Sequence, residues 1–252
     1  MLRYDYKPYT FFETNHSVKY GIIILNYSLA SLRNLLTKDI WEKAIIRGCA
    51  DGGSNMLKSY SEEQNNKFLP DYISGDFDSI DAKTYDYYQS ISTIDFVKTH
   101  DQNATDFTKC VRVMMDKHST LNHLLVYCSL GGRFDHTTGI IHSLYILNTI
   151  YPKLQIYIMT ECDLTFLLHS NVLNRIHTQS KYNGKICSLL PFGQIAHVRT
   201  EGLKWNLNPT QELSFTKLVS SSNTYESEET SYVDVHTDSD IIWTMTYICE
   251  KN

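Results

Sequence analysis

Short unbroken apolar runs alternate along the chain with segments whose apolar residues recur every three to four positions. Residues 21–26 (GIIILN) and 123–130 (HLLVYCSL) are near-continuous apolar runs, as buried parallel strands require. Residues 44–50 (AIIRGCA), 92–99 (STIDFVKT) and 154–160 (LQIYIMT) read as further strands, and Tyr72 and Ile73 read as the end of another. Between them lie helical patterns at 28–44, 81–91, 105–118 and 131–151. In 28–44 the apolar positions are Leu29, Leu32, Leu35, Leu36 and Ile40. In 105–118, Phe107, Cys110, Val111 and Met114 fall at i, i+3, i+4 and i+7, which builds one apolar face. Strands alternating with helices predict a mainly parallel sheet with helices on both faces.

Past about residue 160 the pattern changes. Residues 185–193, 195–207, 212–225 and 231–248 read as short strands broken by Gly, Pro and Asn turns, and 232–236 (YVDVH) alternates with a period of two. The predicted architecture is an N-terminal extension (1–20), an α/β domain (21–160) and an all-β sandwich domain (161–252). The acidic segment 226–230 (ESEET) is a solvated hairpin loop in this reading.

At 252 residues the chain can bury a sizeable core. Its net charge of −5 leaves no basic footprint for nucleic acid. The six cysteines (Cys49, Cys110, Cys128, Cys162, Cys187, Cys249) are scattered, with no CxxC pair, and read as reduced thiols packed as small hydrophobes. The N-terminal residues lack a signal-peptide core, and no apolar run approaches the roughly 18–20 residues of a membrane span. These features predict a soluble cytoplasmic protein with no membrane partner.

Polar clusters sit where strands end, the place where an open parallel sheet binds ligands. In 50–55 (ADGGSN), Asp51 ends a strand, two glycines allow close approach and Ser54 can cap a helix; taken alone, a plain tight turn explains the segment better. In 71–80 (DYISGDFDSI), an extended segment would point Asp76 and Asp78 to one side and Phe77 to the other. That pair suits Mg²⁺, or it is a turn whose aspartates bond their own backbone. In 100–109 (HDQNATDFTK), Thr105 is an N-cap and Asp106 lies in the first turn. Asp106 is either a helix-dipole partner or a third metal-directed carboxylate, with Lys109 reaching for a phosphate. In 130–136 (LGGRFDH), glycines open a helix N-terminus and Arg133 offers a fork to phosphate oxygens; Asp135 and His136 are supporting groups or a local cap pair.

Several carboxylates, two glycine-opened helix starts, one Lys and one Arg at a single sheet edge form the inventory of metal-dependent phosphoryl transfer. No P-loop, protein-kinase signature or GxSxG elbow is present.

The ordered set ADGGSN, LPDYISGDFDSI, DQNATDFTK, GGRFDH, GLKWNL, LVSSSNTY and IIWTM closely resembles thiamin pyrophosphokinases of the animal and fungal type, from about Gly21 to the C-terminus. The resemblance implies a homodimer whose active site lies between the α/β domain of one subunit and the β domain of the other. It implies transfer of the pyrophosphoryl group of ATP to the hydroxyl of thiamin, with Mg²⁺, giving thiamin diphosphate and AMP. By position, it implies that Asp76, Asp78 and Asp106 direct Mg²⁺, and that Asp51, Gln102, Thr105, Lys109, Arg133 and Asp135 meet the nucleotide. Ser220, Ser221, Ser222 and Asn223 would serve thiamin, whereas Trp205 and Trp243 read better as core. The sequence departs from the family pattern at Asn103, where Asp is expected, and at Tyr27, where Gln is expected. The rival readings are a DxD-type phosphatase with an aspartate nucleophile, and a non-catalytic thiamin- or nucleotide-binding protein.

Overall fold

The computed structural model describes residues 2–13, 16–32 and 34–248, so Cys249 lies outside the described residues. Strand β1 (Arg3–Tyr6) comes first. An α/β segment follows: β2 (Tyr20–Ile24), α1 (Lys38–Lys43), β3 (Ile46–Ala50), α2 (Gly53–Glu63), β4 (Tyr72–Gly75), α3 (Ala82–Gln89) and β5 (Asp95–Lys98), then α4 (Asp106–Lys117), β6 (His123–Tyr127), α5 (Phe134–Ile150) and β7 (Gln155–Met159). The remainder is all strand: β8 (Asp163–Leu168), β9 (Leu173–His177), β10 (Asn183–Leu190), β11 (Ala196–Glu201), β12 (Glu212–Leu213), β13 (Ser220–Asn223), β14 (Tyr232–Thr237) and β15 (Ile241–Tyr247).

Two compact units result, residues 17–161 and residues 1–16 with 162–252. In the first, the strands run in the order β7-β6-β2-β3-β4-β5 and every pairing is parallel. The central strands β2, β3, β4 and β6 are buried almost throughout, which explains the near-continuous apolar runs of β2 and β6. The predicted face of α4 is buried at Phe107, Cys110, Val111 and Met114. Thr105 is its N-cap, accepting the Thr108 N–H at 3.1 Å.

The helix predicted over 28–44 is mostly absent. A single 3-10 turn (Ala30–Leu32) precedes the short α1, whose cap is Thr37. The apolar side chains Leu29, Leu32, Leu35, Leu36 and Ile40 are nonetheless buried, so the segment packs its predicted residues without helical continuity. Ser54 also departs from expectation. Gly52 takes the N-cap position of α2, and the Ser54 hydroxyl donates to the Asp51 carbonyl at 2.9 Å.

In the second unit, β1-β9-β14-β11-β12 form one sheet and β13-β10-β15-β8 lie in order in the other. Alternation is clean in β11, where Ala196, Val198 and Thr200 are buried and His197, Arg199 and Glu201 are exposed. The rings of Tyr6 on β1 and Phe166 on β8 stack at 5.0 Å, joining the two layers. Residues 3–6, which the sequence pattern leaves in an extension, pair in parallel with β9 in the register Arg3↔Leu173 to Tyr6↔Ile176. Across β9 and β14, Arg175 holds Asp234 through two bonds of 2.7 Å and lies 3.8 Å over the Tyr232 ring. Trp243 is fully buried, as expected of core. Trp205 is 57% exposed, which corrects its assignment to core: it lies in a turn just past the isolated Leu203–Tyr225 bridge, outside any strand. Among the described residues, no helix is long and apolar enough to cross a membrane. Cys49, Cys110 and Cys187 are free thiols, and all three are buried.

Candidate active site

The strand order reverses at β2, which has β3 on one side and β6 on the other, and the polar clusters all follow carboxyl ends of this sheet. Asp51 follows β3 in the left-handed backbone region, with φ of 45°. Its N–H donates to the Ser74 carbonyl of β4 at 2.8 Å. Two glycines make room around it. A Cβ on Gly53 would stand 2.3 Å from the Ile24 carbonyl oxygen, so this glycine lets α2 begin directly against β2. A Cβ on Gly75 would stand 2.8 Å from the Asp51 Cβ, so β4 passes against Asp51 only without a side chain there.

Asp76 and Asp78 follow Gly75, but not as an extended segment. Phe77 has φ of 71°, a left-handed kink that turns the chain between the two carboxylates. The Phe77 ring is half-buried in a cluster with Tyr85 and Phe96, at centroid distances of 6.1 and 5.6 Å. The kink still brings the carboxylates together. Single oxygens of Asp51, Asp76 and Asp78 lie within 4.8 Å of one another. Asp76 Oδ1 accepts the Asp78 N–H at 3.4 Å, and Asp78 Oδ1 accepts the Ser79 hydroxyl at 2.9 Å.

The electrostatics of the three differ. Asp51 is 4% exposed, and its Oδ1 is buried with no hydrogen-bond partner. Burial, then the charges of Asp106, Asp78 and Asp76, pushes its carboxyl up to about 6. Asp76 moves the other way: the Asp78 N–H, the Lys109 charge and the Gln102 side chain hold it below the usual range. An orphaned buried carboxylate oxygen facing two further carboxylates is an uncompensated arrangement that a hard, oxygen-seeking dication would complete. The residues therefore fit Mg²⁺.

Asp106 lies beside this trio, not in it. Its Oδ1 is 2.7 Å from Lys109 Nζ, although its charge reaches Asp51. Thr105 spends its hydroxyl on the Thr108 N–H and on Ser143 of α5, 2.7 Å away. Arg133 is exposed and its fork is engaged by Asp135 at 2.6 and 3.2 Å. Asn103 is exposed and bonds Asp101 through its N–H at 2.9 Å. A cavity of about 470 Å³ joins much of this edge, lined among others by Tyr27, Asp51, Thr105, Asp106, Arg133 and Asp135. The Tyr27 hydroxyl is buried there without a hydrogen-bond partner.

In the second unit, Ser220 and Asn223 are buried while Ser221 and Ser222 are exposed. The Asn223 amide donates to the Trp205 carbonyl at 2.9 Å and to Ser220 Oγ at 3.3 Å, and its oxygen accepts the Thr224 N–H at 2.8 Å. Asn223 thus shapes the strand from inside, and the two exposed serines carry its polar surface.

The family model described as "Thiamin pyrophosphokinase, catalytic domain" matches residues 37–158, and "Thiamin pyrophosphokinase, vitamin B1 binding domain" matches residues 173–242. The chain is 36% identical over 250 residues to Thiamine pyrophosphokinase 1 of Arabidopsis thaliana, covering 93% of this chain and 88% of the relative. The chain belongs to the thiamin pyrophosphokinase family. Thiamine pyrophosphokinase of Saccharomyces cerevisiae is 30% identical, covering 91% of this chain and 86% of its own length. The crystal structure of the yeast thiamin pyrophosphokinase superposes with a TM-score of 0.82 at 28% identity, over 98% of this chain and 91% of that one. Thiamin pyrophosphokinase from Candida albicans matches with the same TM-score at 26% identity, over 97% and 92%. Membership of the thiamin pyrophosphokinase family sets aside the aspartate-nucleophile phosphatase and the non-catalytic binder.

The motif-bearing residues of the first unit meet at one edge as predicted. Spacing alone did not reveal that Asp51 joins Asp76 and Asp78, because their convergence depends on the parallel pairing of β3 with β4.

Proposed function

We propose that this chain transfers the pyrophosphoryl group of ATP to the hydroxyl of thiamin, giving thiamin diphosphate and AMP. The observation that carries the reading is the Asp51–Asp76–Asp78 cluster at the carboxyl edge of the parallel sheet, beside a cavity that also presents Arg133. Asp51, Asp76 and Asp78 would hold Mg²⁺, with Asp106 adding negative charge next to them. Bound Mg²⁺ supplies charge neutralisation and a template for the triphosphate oxygens. Lys109 and Arg133 bind phosphate oxygens in this reading, each exchanging part of its present aspartate pairing for the ligand. Asp51, Gln102, Thr105 and Asp135 complete the nucleotide side. Catalysis then consists of positioning the thiamin hydroxyl in line with the β-phosphorus and offsetting charge.

Residues 21–160 form the nucleotide domain and residues 161–252 the thiamin domain, with Ser220, Ser221, Ser222 and Asn223 on the thiamin side. The assembly is a homodimer, with each site shared between the α/β domain of one copy and the β domain of the other. The compartment is the cytoplasm, a reading supported by the buried free thiols of Cys49, Cys110 and Cys187.

The test is one assay with ATP, Mg²⁺ and thiamin and separated products. AMP and thiamin diphosphate should rise together. Formation of ADP with thiamin monophosphate refutes pyrophosphoryl transfer.

A further inference from the structure

Asn55 lies on the first turn of α2, four residues after Asp51. Its side chain spans to the loop that follows β4. The amide nitrogen donates to the Ser79 carbonyl at 2.8 Å, and the amide oxygen accepts the Asp81 N–H at 3.0 Å. Asp81 is the N-cap position of α3. The loop carrying Asp76 and Asp78 is therefore held at both ends: by β4 at Gly75 and by Asn55 at residues 79–81. The start of α2 is itself fixed, since Gly53 sits against the Ile24 carbonyl with no room for a Cβ and the Ser54 hydroxyl bonds the Asp51 carbonyl.

We infer that Asn55 is a positioning residue that sets the distance between Asp51 and the Asp76–Asp78 pair. One short segment, 51–55, provides one carboxylate of the cluster and, a helical turn later, clamps the loop that carries the other two. The clamp needs a donor and an acceptor at once, which a primary amide provides and a carboxylate does not. It matters because Phe77 holds a left-handed backbone between the aspartates, a conformation that persists only where its surroundings enforce it. The Phe77 ring packing restrains one side of that kink, and Asn55 restrains the other.

The inference rests on the metal reading of the carboxylates, and its test separates the two. In the full-length protein, Asn55→Ala should speed exchange of the Asp81 amide hydrogen and weaken binding of Mn²⁺, followed by its paramagnetic signal, by about tenfold. The melting temperature should stay near that of wild type because the side chain is only half-buried. In turnover, the metal requirement should rise while KM for thiamin holds. Asn55→Asp keeps the acceptor but sets a carboxylate against the Ser79 carbonyl, so its Mn²⁺ affinity should fall at least as far. Unchanged Asp81 exchange in Asn55→Ala overturns the clamp. Faster exchange with wild-type Mn²⁺ affinity reduces Asn55 to an ordinary loop tie and overturns the positioning role. Wild-type protein that binds no Mn²⁺ refutes the metal reading itself, while Asp81 exchange still reports on the clamp.

Discussion

Lys109 Nζ lies 2.7 Å from Asp106 Oδ1 across the first turn of α4, with the lysine side chain 7% exposed and the aspartate 47%. The two members should respond unequally to substitution. Asp106→Asn leaves a nearly buried ammonium without its charged partner and should cost about 1–3 kcal/mol. Lys109→Met removes the buried charge with a side chain of similar volume, so stability should hold within about 1 kcal/mol while turnover collapses. Thermal melts of both variants decide it; equal losses would mean that the pairing does not govern stability.

Asp51 gives a pH signature. Its carboxyl stands at about 6 in the fold, against the usual 3.8. Between those values the folded chain keeps a proton that the unfolded chain has released. Stability therefore falls as pH rises through that window and stays lower above it, by about 3 kcal/mol for a shift of this size. Asp76, held low, slopes the opposite way, giving stability that is lost as pH falls through its folded value. Asp51→Asn isolates the first effect. Without divalent metal it should melt above wild type at neutral pH, and the two curves should converge near about pH 4. Added Mg²⁺ should raise the wild type much more than the variant.

Asp78 is exposed, so Asp78→Asn should fold normally and spare stability. Its metal requirement should rise steeply, with turnover down by about 100-fold or more at fixed Mg²⁺. Near-normal turnover with Mg²⁺ and ATP would sink the metal assignment.

The two tryptophans after residue 200 should separate cleanly. Trp243 is 0% exposed in β15, and Trp243→Ala should cost about 3–5 kcal/mol. Trp205 is mostly exposed, and Trp205→Ala should stay within about 0.5 kcal/mol. Chemical denaturation of each variant measures this. A large loss at Trp205 would restore it to a structural role.

Much of this was legible from residue pattern because the sheet of the first unit is buried on both faces, so its strands announce themselves as apolar runs. The 3.6-residue spacing of α4, with Thr105 as its cap, was equally plain. Residues 28–44 were not, since the burial of Leu29, Leu32, Leu35 and Leu36 satisfies the same pattern with or without helical hydrogen bonds. The site was legible as a set of aspartates, glycines and cations, but its grouping was not. Asp76 and Asp78 converge through a backbone kink at Phe77, a residue type that gives no local sign of a left-handed conformation. Asp51 reaches them through strand pairing, and Asn55 through bonds spanning 24 and 26 residues, neither of which spacing encodes.

Strand β1 gives the chain an order of events. Its hydrogen-bonding partner, β9, begins 167 residues after β1 ends (173 less 6), with the whole α/β unit between them. During synthesis that unit can condense while residues 3–6 wait unpaired at the front of the chain, exposing Tyr4 and Tyr6 to whatever they meet. Closure of so long a loop should make the strand-rich unit the slower of the two to fold, and the one more exposed to aggregation during synthesis.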